Sequence, residues 1–103
     1  MDANDPPVKS DAGKSRYDLL PARALQELAD VYTFGASKYA PRNWEAGLPF
    51  SRIFAALMRH SWAFWRGETI DSETKLHHMA HAAFGCLALV EYFYTKKGED
   101  DRP

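Results

Sequence analysis

Apolar positions in the middle of the chain recur with helical periodicity. Leu25, Leu28, Val31 (or Tyr32) and Ala36 return every three to four residues, the spacing that gathers side chains on one face of an α-helix. Pro21 stands near the first helical position, where a missing N–H costs little. Pro41 disfavours helical backbone at Ala40, so this helix is expected to end near Tyr39. Gly35 lies inside the pattern at a cost of about 1 kcal/mol against Ala, which implies close helix approach or a kink. Residues 40–50 carry Pro41, Asn43, Gly47 and Pro49 and read as a loop. A second stripe, Ile53, Ala56, Leu57, His60 and Phe64, follows Ser51 as an expected N-cap and closes at Gly67. After an acidic connection holding Glu68, Asp71 and Glu73, a third helix is expected from Ser72 or Thr74 to Lys96. Leu76, Ala80, Ala83, Phe84, Leu87, Val90 and Tyr94 would form one face of it, and Lys96 and Lys97 lie where cations favour a helix C-terminus. Strand signals are weak throughout, so the expected fold is all-α.

Three helices organise one small domain over residues 17–96. Residues 1–16 are polar, with Pro6-Pro7 and Gly13, and read as a flexible N-terminal arm; residues 97–103 read as a charged flexible tail. Three helices make a thin core for a chain with no internal disulfide. Completion of a small helical bundle by homo-oligomerisation, as a dimer or tetramer, is therefore expected.

Composition narrows the partners. Thirteen Lys+Arg against fourteen Asp+Glu give a formal charge of −1 in 103 residues, without the basic excess of a bulk nucleic-acid binder. No apolar run approaches the ~18–20 residues that span a bilayer, and the acidic, Pro-containing start does not read as a signal peptide. The lone Cys86 excludes an internal disulfide or a multi-Cys zinc site, and beside an apolar stripe it reads as inert packing. A cytoplasmic protein is the expectation.

The candidate chemistry lies in two groups. His78 and His81, at i, i+3, share one helix face. His60 adds an imidazole from the second helix, and Glu68, Asp71 and Glu73 add carboxylates from the connection. Imidazoles and carboxylates converging between helices are how bundle metal sites are built; a lone His on an apolar stripe is equally at home as a hydrogen-bonded core residue. His77 points about 100° away and reads as surface or interface. The second group is basic and aromatic: Lys14 and Arg16 before the first helix, Lys38 and Tyr39 at its end, and Arg42, Asn43 and Trp44 in the loop. Cations and amides suit phosphates, and flat aromatic faces suit bases. The bland alternative is a Trp packed over a helix end with Arg42 solvated. Glu27 and Asp30 read as a solvated face or as metal-facing acids. Ala12-Gly13-Lys14-Ser15 imitates the end of a P-loop, but Val8 stands where its first Gly is required.

Several blocks occur in order: Asp11-x-Gly13-Lys14-x-Arg16-x-Asp18-Leu19-Leu20-Pro21, Phe34-Gly35-Ala36-x-Lys38-Tyr39, Arg42-Asn43-Trp44-x-x-Gly47, Arg59-His60, Gly67-Glu68-x-x-Asp71-x-Glu73 and His78-x-x-His81-Ala82. Together they resemble the dATP/dGTP diphosphohydrolase N-terminal domain family of phage and bacterial proteins. The resemblance implies kinship with the MazG-like all-α nucleotide pyrophosphohydrolases, which cleave a nucleoside triphosphate to monophosphate and pyrophosphate. Those enzymes hold metal with Glu-x-x-Glu on one helix and Glu-x-x-Asp on the next. The comparable segments here read Arg59-His60-x-x-Ala63 and His78-x-x-His81, so imidazoles stand where carboxylates are usual.

Two functions follow as expectations. The first is a metal-dependent nucleotide pyrophosphohydrolase. A divalent metal, manganese or magnesium, would be held by His60, Glu73, His78 and His81, with Glu68 or Asp71 as general base. Lys14, Arg16, Lys38, Tyr39, Arg42, Asn43 and Trp44 would bind the nucleotide. The alternative is a phage protein that binds and sequesters a nucleotide without turnover. A helical interaction module is a third possibility that no residue chemistry demands.

Overall fold

The computed structural model describes residues 2–103 as an all-α protein with three main helices, α1 (Ala22–Lys38), α2 (Phe50–Trp65) and α3 (His78–Thr95). Short 3-10 turns at Tyr17–Leu19 and Asn43–Ala46 precede α1 and α2. Isolated bridges at Pro49–Glu99 and Ile70–His77 are the extent of β pairing among the described residues. Helix α3 packs most extensively on α2 and also on α1. It is the floor over which the other two are laid. No helix among the described residues is long and apolar enough to cross a membrane.

The ends of α1 and α2 lie close to where the prolines and glycines set them. Pro21 is the N-cap of α1 and Tyr39 its C-cap; Pro49 precedes α2, and Gly67, at φ +107°, follows its C-cap Arg66. Helix α3 differs from expectation, beginning at His78 rather than at Ser72 or Thr74. The Asp71 carboxylate accepts from the Thr74 N–H at 2.9 Å and from its hydroxyl at 3.0 Å. Asp and Thr side chains offer the backbone such turns in competition with helix. Lys75 then adopts a left-handed φ of +63°, and the helix starts only after His77, whose Nδ1 accepts from the Met79 N–H at 3.0 Å.

The buried face of α3 also corrects the expected one. It consists of Ala82, Gly85, Ala88 and Tyr92, with His78 at its start, while Leu87, Val90 and Tyr94 are exposed and so is Cys86. Small residues win this face because they let the helix axes approach. A Cβ added at Gly85 would stand 3.2 Å from the Leu57 Cβ. Tyr92 fills the far end of the interface. It stacks on Phe50 at 6.2 Å between ring centroids, and its hydroxyl donates to the Trp44 carbonyl at 2.6 Å.

The two termini behave differently. Residues 2–16 are exposed throughout, and the radius of gyration of 18.3 Å exceeds the roughly 13 Å of a compact chain of this length. Met1, the first residue of the expected arm, lies outside the described residues. Residues 97–102, by contrast, run back over the start of α2. Phe50 N–H donates to Glu99 O at 2.9 Å and Glu99 N–H to Leu48 O at 3.2 Å. Asp101 accepts from the N–H and hydroxyl of Ser51, a carboxylate at a helix N-terminus, where it complements the dipole. Those bonds hold its carboxyl below the usual range. Ser51 therefore lies inside the helix, served by the tail rather than capping it.

Gly98 makes this crossing possible. At φ +82° its backbone suits only glycine, and an added Cβ would stand 2.8 Å from both Phe50 Cε1 and Tyr92 Cδ2. Gly98→Ala is expected to destabilise the protein by about 2 kcal/mol through strain and overpacking. Urea unfolding followed by circular dichroism checks it: an unshifted midpoint would mean that the tail is not held against α2.

Candidate functional site

The site is assembled by the connection between α2 and α3. Asp71 N–H donates to Leu76 O at 2.8 Å, Lys75 N–H to Asp71 O at 2.8 Å and His78 N–H to Thr69 O at 3.0 Å. This closed loop holds Asp71 beside His60, on the inner face of α2, and at the entry to α3. Glu27 ties α1 to the same point, accepting from the His77 N–H at 2.7 Å. Its carboxylate is thus spent on an element junction rather than on a metal.

Three ligand atoms converge here: one each from His60, Asp71 and His78 lie within 4.8 Å of one another. The two Nδ1 atoms of His60 and His78 are 2.9 Å apart. Two imidazole lone pairs cannot face each other at that distance unless a proton or a cation lies between them. Two nitrogens on one tetrahedral ion stand about 3.4 Å apart, so a small opening of the pair would admit one. The other nitrogen of His78, Nε2, is buried and has no hydrogen-bond partner, and Glu68 Oε2 lies 3.4 Å from it. A metal-bound imidazole normally offers its second N–H to a carboxylate, and Glu68 needs to close only a few tenths of an ångström to receive it. The donor set fits a divalent ion that accepts imidazole nitrogen, such as manganese, iron, nickel or zinc, better than magnesium, which prefers oxygen.

His81 stacks on His60, with ring centroids 4.6 Å apart and an 11° interplanar angle, but its Nε2 is engaged by the Thr74 hydroxyl at 2.7 Å. An ionised Asp71 can only accept, so the Thr74 proton points to Asp71 and His81 carries its proton on Nε2. Burial depresses the His60 pKa, and the nearby His81 and His78 depress it further; burial likewise depresses His81 despite Asp71. Both rings are therefore neutral lone-pair donors at neutral pH. Burial pushes the Asp71 carboxyl up, but the two bonds from Thr74 and the neighbouring His81 and His60 outweigh it and hold Asp71 below the usual range.

The cluster opens into a groove of about 1050 Å³ whose walls come from α1, α2 and the 40–48 loop and whose floor is α3. His60, Asp71, Glu73, Thr74 and His81 line it together with Lys38, Tyr39, Arg42, Asn43 and Trp44. Much of the residue set expected from sequence thus meets on one surface. Some members do not join. Lys14 and Arg16 sit on the exposed arm outside the groove, and Arg16 is forked onto Asp18 at 2.7 and 2.9 Å. Glu68 contacts His78 without lining the groove. Glu73 is bonded to Lys38 Nζ at 2.9 Å instead of joining the His60–Asp71–His78 cluster. Trp44 is half-buried and packs on Tyr32, Phe84 and Tyr92 at 5.9–6.0 Å, so its ring is mainly a packing element. Tyr39, largely exposed on the groove, offers an aromatic face beside the Lys38 ammonium.

Two groove residues went unread as site members: Arg52 and Arg59 of α2. Their signal was the spacing of seven, two helical turns, which repeats one face. It was obscured because isolated arginines on a helix usually mean a solvated side.

A protein of Salmonella phage PMBT28 named dATP/dGTP diphosphohydrolase is 36% identical over 95 residues, covering 92% of this chain and 32% of that protein. The chain thus spans about a third of that relative's length. No solved structure matches it. The family model described as dATP/dGTP diphosphohydrolase, N-terminal, matches residues 4–102, and the chain belongs to that family.

Proposed function

We propose that this chain binds a nucleoside triphosphate in the groove and takes part in its metal-dependent hydrolysis to monophosphate and pyrophosphate. The observation that carries the reading is the convergence of His60 and Asp71 with the buried His78, where His60 and Asp71 line one groove with Lys38, Arg42, Arg52 and Arg59. The related phage protein is named dATP/dGTP diphosphohydrolase, and kinship with the MazG-like hydrolases extends the same proposal.

The roles follow from the geometry. His60, Asp71 and His78 are the ligands we assign to a divalent ion. When bound, such an ion polarises a phosphoryl oxygen and lowers the pKa of a water. Asp71, with its carboxyl held low, suits a ligand better than a base. Glu68 orients His78 through Nε2. His81 is neutral, lines the groove and has Nδ1 free, so we assign it the proton of the attacking water. Thr74 keeps that tautomer in place. Tyr39 offers the base a stacking face, and Lys38 lies 5.5 Å from the Tyr39 ring.

Binding without turnover is the second reading, favoured by a donor set of two imidazoles and one carboxylate in place of an all-carboxylate cage. Self-association is a separate proposal. Trp65, Phe93 and Tyr94 are 78, 68 and 73% exposed, so large rings on α2 and α3 are left for another surface to cover.

Incubating the protein with dATP or dGTP and each of Mg²⁺, Mn²⁺, Co²⁺, Ni²⁺ and Zn²⁺, with products resolved by ion-exchange chromatography, tests the proposal. Monophosphate and pyrophosphate are expected with Mn²⁺. Intact nucleotide recovered in complex would select the second reading, and absence of both products and complex would reject both.

A further inference from the structure

The groove holds an uneven distribution of charge. Four basic side chains line it. Lys38 is neutralised by Glu73 at 2.9 Å and Arg42 by Glu45 at 2.6 Å. Arg52 and Arg59 have no ion-pair partner among the described residues; outside the groove Arg66 has none either, while Arg16 pairs with Asp18, Arg23 with Glu27 and Arg102 with Asp100. The acids of the groove are already committed, Glu45 and Glu73 to cations and Asp71 to Thr74 and the imidazole cluster. Positive charge is therefore left over along one wall, the exposed edge of α2 that borders the groove.

Position along the helix gives that wall a direction. Arg59 adjoins His60 in sequence and stands at the imidazole end. Arg52 is seven residues earlier, about 10 Å along the axis. There it neighbours Ile53, against which Trp44, Leu48 and Phe50 pack. Two planar forks two turns apart match an extended polyphosphate better than a single phosphate, because each guanidinium can grip a different phosphoryl group bidentately.

Resting on the nucleotide reading above, we infer that Arg59 and Arg52 form a two-point rail that measures phosphate-chain length. Arg59 holds the phosphate nearest the nucleoside, beside the cluster of His60 and Asp71. Arg52 holds the terminal phosphate. The site selects triphosphates over diphosphates and monophosphates because only the longest chain reaches both arginines. The bond between the first and second phosphates then lies beside the imidazole cluster, consistent with release of pyrophosphate rather than orthophosphate.

Calorimetric titration in chelator, so that no metal contributes, tests the rail on the whole chain with dGTP, dGDP and dGMP. The intact protein should bind in the order dGTP, dGDP, dGMP. Arg59→Ala should weaken all three by about tenfold, the loss expected for one charge-assisted pair. Arg52→Ala should weaken dGTP by about tenfold and leave dGMP unchanged, which removes the preference for the longer chain. Lys9→Ala, with the same charge change on the exposed arm, should have no such effect. Equal losses for all three nucleotides in Arg52→Ala and Lys9→Ala would overturn the rail in favour of general electrostatics. Wild-type dGTP affinity in both arginine variants would overturn it while leaving the nucleotide reading intact. Failure of the unmodified protein to bind any of the three in chelator would overturn the rail, and failure in Mn²⁺ as well would defeat both. Both arginines are exposed, so a far-ultraviolet spectrum should confirm folded variants.

Discussion

Alanine in place of His60 is expected to weaken Mn²⁺ binding by at least about a hundredfold and to abolish metal-dependent turnover. Removing a partner that merely orients a ligand costs about 10–100-fold in affinity, so loss of one of only three ligands must cost at least the upper end of that range. The half-buried His60 ring contributes little to the core, whereas His78 is buried, and its removal would confound folding with binding. His81→Ala is the informative partner variant. If the set is His60, Asp71 and His78, then His81 acts from outside it, and its removal should cost Mn²⁺ affinity only about tenfold while depressing kcat. If His81 is itself a ligand, as its i, i+3 spacing from His78 suggests, the two variants should lose metal equally. Titration of chelator-stripped protein with Mn²⁺, followed calorimetrically, separates these outcomes. Unaltered affinity in His60→Ala would remove the proposed metal centre.

The contrast between His78 and His81 shows what sequence can and cannot convey here. Their spacing announces a shared face but not what meets that face. The meeting is decided by Thr74, which occupies His81 Nε2, and by His60, whose Nδ1 approaches that of His78. Neither contact has a local signature. Asp71 is recognisable as a candidate acid of the connection, yet the residues after it, from Ser72 or Thr74, carry the pattern of a helix that begins only at His78. Asp and Thr three residues apart can either begin a helix or close a turn, and the left-handed Lys75 settles the matter. Helix α3 is apolar on nearly every side, so its periodicity could not reveal which face is buried. The choice fell to small residues that permit close approach. Where prolines and glycines bracket an element, as at Pro21, Pro41, Pro49 and Gly67, the chain was legible to within one or two residues. Trp44 illustrates the opposite case: beside Arg42 and Asn43 it looks like a base platform, and only the positions of Tyr32, Phe84 and Tyr92 show that its ring is occupied.

The same packing makes Tyr92 the residue on which folding should depend most. It is 2% exposed and touches three elements: Phe50 at the start of α2, Trp44 in the preceding 3-10 turn, and Gly98 in the returning tail. The other buried members of its cluster are Ile53 and Ala88, and the larger Trp44, Leu48, Phe50 and Leu89 that pack against it are only partly buried, so its ring is the largest fully enclosed side chain there. Tyr92→Ala is expected to cost about 3–5 kcal/mol, the range for removing a large buried ring. That is a large share of the roughly 5–15 kcal/mol available to a small domain. Tyr92→Phe keeps the ring and loses only the 2.6 Å bond to the Trp44 carbonyl, for an expected cost of about 1 kcal/mol. Because the loop bearing Arg42 and Trp44 rests on this ring, the alanine variant should also lose the groove. Its residual folded fraction should then bind dGTP more weakly even where the imidazole cluster is untouched. Urea midpoints of the two variants, read beside dGTP titrations under native conditions, check both halves of the argument. If Tyr92→Ala proved no less stable than Tyr92→Phe, the ring would not be what joins the loop, the tail and the two helices.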